Sequence, residues 1–413
     1  MKTNKILLSV MVCIGLSAVS SACKSGQEQQ ESSQAVGETV ELTVWGAEED
    51  EALLKEIIRS FQDYYSGEAD FQITYEPQSE SNCKDVLLAD LEGGADVFAF
   101  ADDQVAALAA AGALEPVEDK DAVRSANLST AVEAASVDGE LYAYPLTADN
   151  GYFLYYNKEY LSESDVESLE RMVDAAAEAG KVVSMDWSSG WYVYAFFGNT
   201  GLEVGLNEDG LTNYCTWNGT EGPVKGVEVA EAMMAISASP GFSNRTDTDF
   251  MAGVQDGSVI AGISGVWNAV AIEEAWGDNM GAAKLPSYTC GGRRIQMASF
   301  SGCKLMGVNA YSAHPQWAAR LARWITSEDN QTLRFQVRGQ GPSNINAANS
   351  QAVQEAPAIA ALLAQSEYSQ LQRVGGKYWD PVTEFATSMA EGNPSGTPLQ
   401  AQLDRLVEGV TAR

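Results

Sequence analysis

The chain has 413 residues and carries 57 Asp and Glu against 25 Lys and Arg, a formal charge of -32. That balance argues against nucleic-acid binding, which needs cations to neutralise phosphates, and against adhesion to an anionic bilayer surface by charge. The one histidine, His314, precedes Pro315 at a helix start, and no nucleophile motif stands near it, so neither a His-dependent nucleophile system nor a His-built zinc site is expected. No cofactor is expected either.

The N-terminus, "MKTNKILLSVMVCIGLSAVSSAC", has Lys2 and Lys5, an apolar run from Ile6 to Leu16, and small residues up to Cys23. The run is too short to span a bilayer and reads as a secretory signal over residues 1–22. The approach to Cys23 resembles a bacterial lipobox, which implies lipidation of that cysteine. Ser20 departs from the usual aliphatic residue there, so ordinary cleavage after Ala22 stays open. Residues 23–39 are polar and of low complexity, a flexible tether.

"VELTVWG" alternates as a strand does. "EEDEALLKEIIRSFQDYY" then places Leu53, Leu54, Ile57, Ile58 and Phe61 on one helical face, with acids crowding its start. "FQITYEP" is a strand, "CKDVLLADLEGG" a short helix, "ADVFAF" a strand, and "DDQVAALAAAGAL" a helix closed by Gly112. This alternation predicts a parallel sheet wrapped by helices. After "GELYAYPLTADNGYFLYYNKEYL" a second α/β unit begins: a helix in "SESDVESLERMVDAAAEAG", strands in "KVVSMDW" and "SVIAGISG", and an amphipathic helix in "PQWAARLARWITSEDNQTLRF". Cys290 and Cys303 flank a Gly-Gly-Arg-Arg turn in an exported chain, so a disulfide between them is an expectation. Cys83 and Cys215 read as buried thiols.

Ligands of open α/β sheets bind beyond the carboxyl ends of strands. Those positions hold Gly46 and Glu48, then Phe100, Asp102 and Asp103, then Asp149 and Asn150, then Trp191 and Tyr192, then Trp267; Tyr378, Trp379 and Asp380 stand at a late glycine break. Aromatics alternating with acids and amides suit sugars, whose apolar ring face stacks on a π plane while their hydroxyls need acceptors and donors.

Five segments, "VWGAEEDEALLKEIIRSF", "GADVFAFADDQVAALAAAGALEPV", "GELYAYPLTADNGYFLYYNKEYL", "DTDFMAGVQDGSVIAGISGVWN" and "HPQWAARLARWITSEDNQ", in this order resemble the carbohydrate-binding proteins of ABC importers, the maltose-binding group. The resemblance runs from about residue 40 to the end. It implies a two-lobed α/β fold with a three-segment hinge: residues 40–147 and 288–343 in the first lobe, 148–287 and 344–413 in the second. The hinge is expected through Thr147 to Asn150, near Lys284 to Tyr288, and near Pro342 to Asn344.

By the same resemblance Phe100 lies where that family has a sugar-stacking Trp, and Asp103 matches a hydroxyl-binding Asp. Asp149 or Asn150 takes the place of a hinge-side Glu, and Trp191, Trp267 and Trp379 lie at stacking positions. Gln104, Ser189 and Thr383 replace polar residues of the family pattern, so several contacts differ. The implied protein is a lipid-anchored, non-enzymatic, monomeric receptor outside the cytoplasmic membrane. It would deliver an oligosaccharide, with malto-oligosaccharide the first choice, to the permease subunits of an ABC importer. A secreted glycosidase, which would need a carboxylate pair, and a receptor for a cation such as a polyamine are the alternatives.

Overall fold

The computed structural model describes residues 38–207 and 209–412. The expected signal, most of the expected tether, and Cys23, where lipidation is expected, lie outside them. Two five-stranded sheets organise the described chain.

In the first sheet the strand Glu38–Gly46 pairs in parallel with Ala69–Pro77 on one side and Val97–Ala101 on the other. The next strand, Lys304–Val308, runs antiparallel to Val97–Ala101 and to Ala143–Pro145. The expected parallel sheet is therefore a mixed one, because a segment from two hundred residues downstream is inserted into it. Helix Glu51–Tyr64 covers this sheet with Leu53, Leu54, Ile57, Ile58 and Phe61, each contributing about 1.5–3 kcal/mol by leaving water. The acids ahead of it form a separate turn, Glu48–Asp50.

The second sheet runs in the order Phe242–Asn244, Val182–Met185, Val259–Ser264, Phe153–Asn157, Met280–Ala283. Its first three strands are parallel and the last two pair antiparallel. Apolar cores cover both faces. One is built around Trp187, Phe196, Phe197, Trp217 and Tyr378, and the other around Phe153, Tyr155, Ile272 and Ile359. In the first of these Phe197 and Trp217 stack at 4.0 Å.

The chain passes between the lobes three times, and the passages touch. Ala148 N donates to Gly341 O (3.0 Å), Thr147 N to Lys304 O (3.1 Å) and Asn150 N to Gly302 O (3.1 Å). The first passage runs through Thr147 to Asn150 and the third through Gly341. Tyr288, Cys290, Met297 and Phe300 pack in the second lobe's core and Cys303 in the first, so the second crossing lies at Ser301–Lys304 rather than near residues 284–288. A short hairpin, Ser287–Cys290 with Arg293–Gln296, occupies the stretch assigned to the first lobe.

That shift also removes the expected disulfide. Cys290 is opposite Arg293 across the hairpin, both cysteines are free, and each is buried in a different lobe. The Gly291–Gly292 turn, both residues at positive φ, closes the hairpin well before Cys303 is reached. Among the described residues no helix is long and apolar enough to cross a membrane, and no group of side chains is arranged to hold a metal ion.

Candidate functional site: a cleft between the lobes

A cleft of about 930 Å3 separates the two sheets. Its first wall comes from turns at the carboxyl ends of parallel strands: Glu48 and Glu49, Gln78 to Asn82, and Asp103 with Gln104. Its second wall repeats the rule, with Ser189, Trp191 and Tyr192 following one strand, Asp247 another and Trp267 a third, while Trp379 and Asp380 come from the late glycine break. Strands cannot continue into the space between lobes, so their C-terminal turns present side chains there.

Trp267 stands directly on its glycine. A Cβ added at Gly265 would lie 1.9 Å from the indole, so only glycine lets the ring fold back over the backbone. Tyr155 OH donates to Gly265 O (3.0 Å), which fixes that turn from beneath. Asp247 accepts from Ser264 Oγ (3.0 Å) and Asn268 Nδ2 (2.9 Å), holding the wall beside the ring. Trp191 lies next to Trp267 with ring centroids 5.7 Å apart and planes at 38°. It rests on the edge of Tyr152, whose hydroxyl donates to Trp191 O (3.0 Å).

Trp379 is set by the buried Tyr378, whose hydroxyl donates to Gly190 O (3.0 Å), while Gly190 N donates to Thr383 Oγ1 (3.2 Å). Thr383 thus supports the turn that carries Trp191. All three indoles are half-buried, each with part of its surface open.

The polar floor belongs mainly to the first lobe. Gln104 Nε2 donates to Glu80 O (2.7 Å) and its Oε1 accepts from Lys84 N (2.9 Å), tying two turns together. Burial and the neighbouring Asp102 push the Asp103 carboxyl up to about 7, against opposing help from Gln372 and Lys84. Asp102 is itself fully buried. Burial raises its pKa, while Arg373 of the second lobe (2.8 Å) and Cys303 N (3.0 Å) oppose that rise. Lys304 Nζ is 2.5 Å from Glu80. Its burial favours the neutral amine, but Glu80 and Asp50 outweigh that and keep it charged. Asp103 Oδ1, Glu80 Oε1 and Trp191 Nε1 are buried with no hydrogen-bond partner in the protein, and all three residues line the cleft. Such groups are costly unless a bound molecule satisfies them.

Of the residues singled out in the sequence, the cleft gathers Glu48, Asp103, Asn150, Trp191, Trp267, Trp379 and Asp380. Gly46, Phe100, Asp102, Asp149 and Tyr378 do not join them. Phe100 is fully buried in the first core, against Phe98 at 5.5 Å and opposite Leu305. Its strand runs one residue further, to Ala101, which keeps Phe100 inside the sheet. Asp149 is buried in the hinge, where it accepts a hydrogen bond from Gly341 N. It pins two passages together, and Asn150 is the member of the pair that reaches the cleft. Glu80, Asp247, Lys304 and Gln372 also line the cleft and carry no sequence signature, because they meet only through the crossings.

Two α/β lobes joined by three adjacent passages, with strand-end turns converging on one cleft, define a bilobed solute-capturing protein. Residues 56–361 match the family described as bacterial extracellular solute-binding protein, and the chain belongs to that family. It is 26% identical over 423 aligned positions to the galactooligosaccharide-binding protein of Bacillus subtilis (strain 168), covering 99% of this chain and 97% of that one. A structure solved with acarbose shares 30% identity at a TM-score of 0.80, covering 90% of this chain and 99% of that one. A maltodextrin-binding protein of L. casei BL23, solved without ligand, superposes at a TM-score of 0.74 with 23% identity, covering 91% of this chain and all of that one (100%); at that identity the likeness speaks for the fold.

Proposed function

We propose that the chain captures an oligosaccharide between its lobes and hands it to an ABC importer. The observation that carries this reading is the convergence of Trp191, Trp267 and Trp379 on one cleft beside carboxylates and amides with unsatisfied atoms. Half-exposed indoles offer flat apolar planes for pyranose faces, and the acceptors suit ring hydroxyls. The relatives named above support it: one binds galacto-oligosaccharides, and another was solved with acarbose. Malto-oligosaccharides are the first ligands to test and galacto-oligosaccharides the second.

Both lobes contribute to the cleft, so a ligand touching both binds the closed arrangement better and shifts the population towards it. The closed shape is then what permease subunits read as a loaded receptor. Export by the N-terminal signal and anchoring through a lipid on Cys23 would keep a monomeric receptor beside its transporter at the membrane. Anchoring is tested by Cys23→Ala, which releases the protein from the membrane fraction if the lipid is the anchor.

A thermal-shift panel of malto- and galacto-oligosaccharides tests the central claim, because a ligand stabilises the folded state by mass action. A concentration-dependent rise in melting temperature is expected. No response to any glycan at millimolar concentration would reject sugar capture, and release of reducing ends from a bound glycan would turn the reading into a hydrolase.

A further inference from the structure

The cleft holds more negative charge than recognition of a neutral sugar requires. Glu48, Glu49, Asp247 and Asp380 line it, and among the described residues none of them forms an ion pair with Lys or Arg. Its two lysines are already engaged, Lys304 by Glu80 at 2.5 Å and Lys84 by Asp85 at 3.3 Å. An acidic lining alone can be a solvated surface. Here a second observation points to a ligand. Glu80 is only 9% exposed, and its Oε1 has no partner in the protein.

Asp103 Oδ1 is in the same condition on the neighbouring turn. Gln104 holds the two turns in fixed relation by its bonds to Glu80 O and Lys84 N. Two carboxylates from different strand ends, both lining the cleft, therefore each keep one buried oxygen without a partner. A hydroxyl can satisfy either acceptor. A protonated amine satisfies them and also neutralises part of the excess charge, in a setting where charge-assisted hydrogen bonds are the stronger kind.

We propose that the cleft prefers an oligosaccharide bearing a protonated amine, held by Glu80 and Asp103, over its neutral counterpart. This rests on the oligosaccharide reading above and narrows its substrate class. The upward shift of the Asp103 carboxyl fits the same picture, since a cation beside it restores its ionised form.

The test is calorimetry with three tetramers in mildly acid buffer: the tetramer of glucosamine, cellotetraose and maltotetraose. The first two share a linkage and differ by an ammonium in place of a hydroxyl on each ring. The glucosamine tetramer is expected to bind about tenfold more tightly than either neutral tetramer, the difference between a charge-assisted and a neutral hydrogen bond. That preference should collapse in Asp103→Asn and in Glu80→Gln, the second variant guarding against misfolding of the first. Equal or weaker binding of the glucosamine tetramer beside a neutral tetramer that binds overturns this inference and leaves oligosaccharide capture standing. A preference that survives in both variants assigns the effect to the chain's overall charge and overturns it too. Failure of the glucosamine tetramer to bind while any neutral glycan of the thermal-shift panel binds also overturns this inference, and failure of every glycan rejects both readings.

Discussion

Gly265→Ala isolates the role of Trp267 without touching its indole. The added methyl would lie 1.9 Å from one ring carbon and 2.2 and 2.5 Å from two others. Ordinary carbon contacts are about 3.5–4.0 Å, so the ring has to retreat by roughly 1.5 Å or more. The backbone at Gly265 has a φ of -107°, which alanine adopts without strain, so the whole effect falls on the ring. Loss of one stacked base or sugar face costs on the order of 1–3 kcal/mol, and a displaced platform should weaken sugar binding by about five- to 150-fold. If the ring is instead trapped, the overlap appears as about 1–3 kcal/mol of lost stability. Calorimetric titration with the sugar that gives the largest thermal shift reads the first effect, and denaturant unfolding of the ligand-free protein reads the second. Trp267→Ala, which removes the platform outright, sets the limiting loss. A folded Gly265→Ala protein with unchanged affinity would refute the argument that the glycine exists to seat the ring over the cleft.

Phe100→Ala should lower stability by about 3–5 kcal/mol, as for a buried aromatic, and leave sugar affinity unchanged, since Phe100 is core and not cleft. Arg373→Ala strips the fully buried Asp102 of its cross-lobe partner; small-angle scattering should show a larger radius of gyration without ligand, and an unchanged radius would show that this ion pair does not hold the lobes together. Burial alone would raise the Asp50 carboxyl, but Arg334, Lys304 and Arg338 outweigh it and lower its pKa to about 2 from 3.8. That stabilisation, on the order of 2 kcal/mol, is present above about pH 4 and is lost as pH falls through 2, so the stability gap between the parent and Asp50→Asn should narrow over that range; a constant gap contradicts it. Peptides carrying Cys290 and Cys303 should be alkylated in the unfolded protein without prior reduction, and a linked pair by mass spectrometry would contradict the placement of the two residues in separate cores.

Periodicity and turn chemistry carried much of the fold. The apolar face of Glu51–Tyr64, the alternation of Glu38–Gly46 and the left-handed Gly112 are local features, set by neighbours in the chain. The same logic placed Trp191, Trp267 and Trp379 at element ends, and the cleft gathers all three. Phe100 misled because a residue near a strand's end can be either its last core position or its first loop position. The difference is decided by Leu305 lying opposite it, and Leu305 arrives from a remote segment. Asp149 and Asn150 are neighbours of like chemistry, and only the bond from Gly341 N tells hinge from cleft.

The sequence by itself determined two α/β units, the strand-end positions of the indoles, and a glycine two residues before Trp267, because short-range sterics and hydrophobic period write these into nearby residues. Only the tertiary structure decided where the second crossing runs, that Cys290 and Cys303 belong to different cores, and that Glu80 meets Lys304 on the cleft floor. These depend on contacts between residues more than two hundred positions apart (Glu80 with Lys304), or on which side of a crossing a residue falls. No local pattern encodes such pairings, since they are fixed when the antiparallel strand Lys304–Val308 enters the first sheet and buries its apolar side chains there.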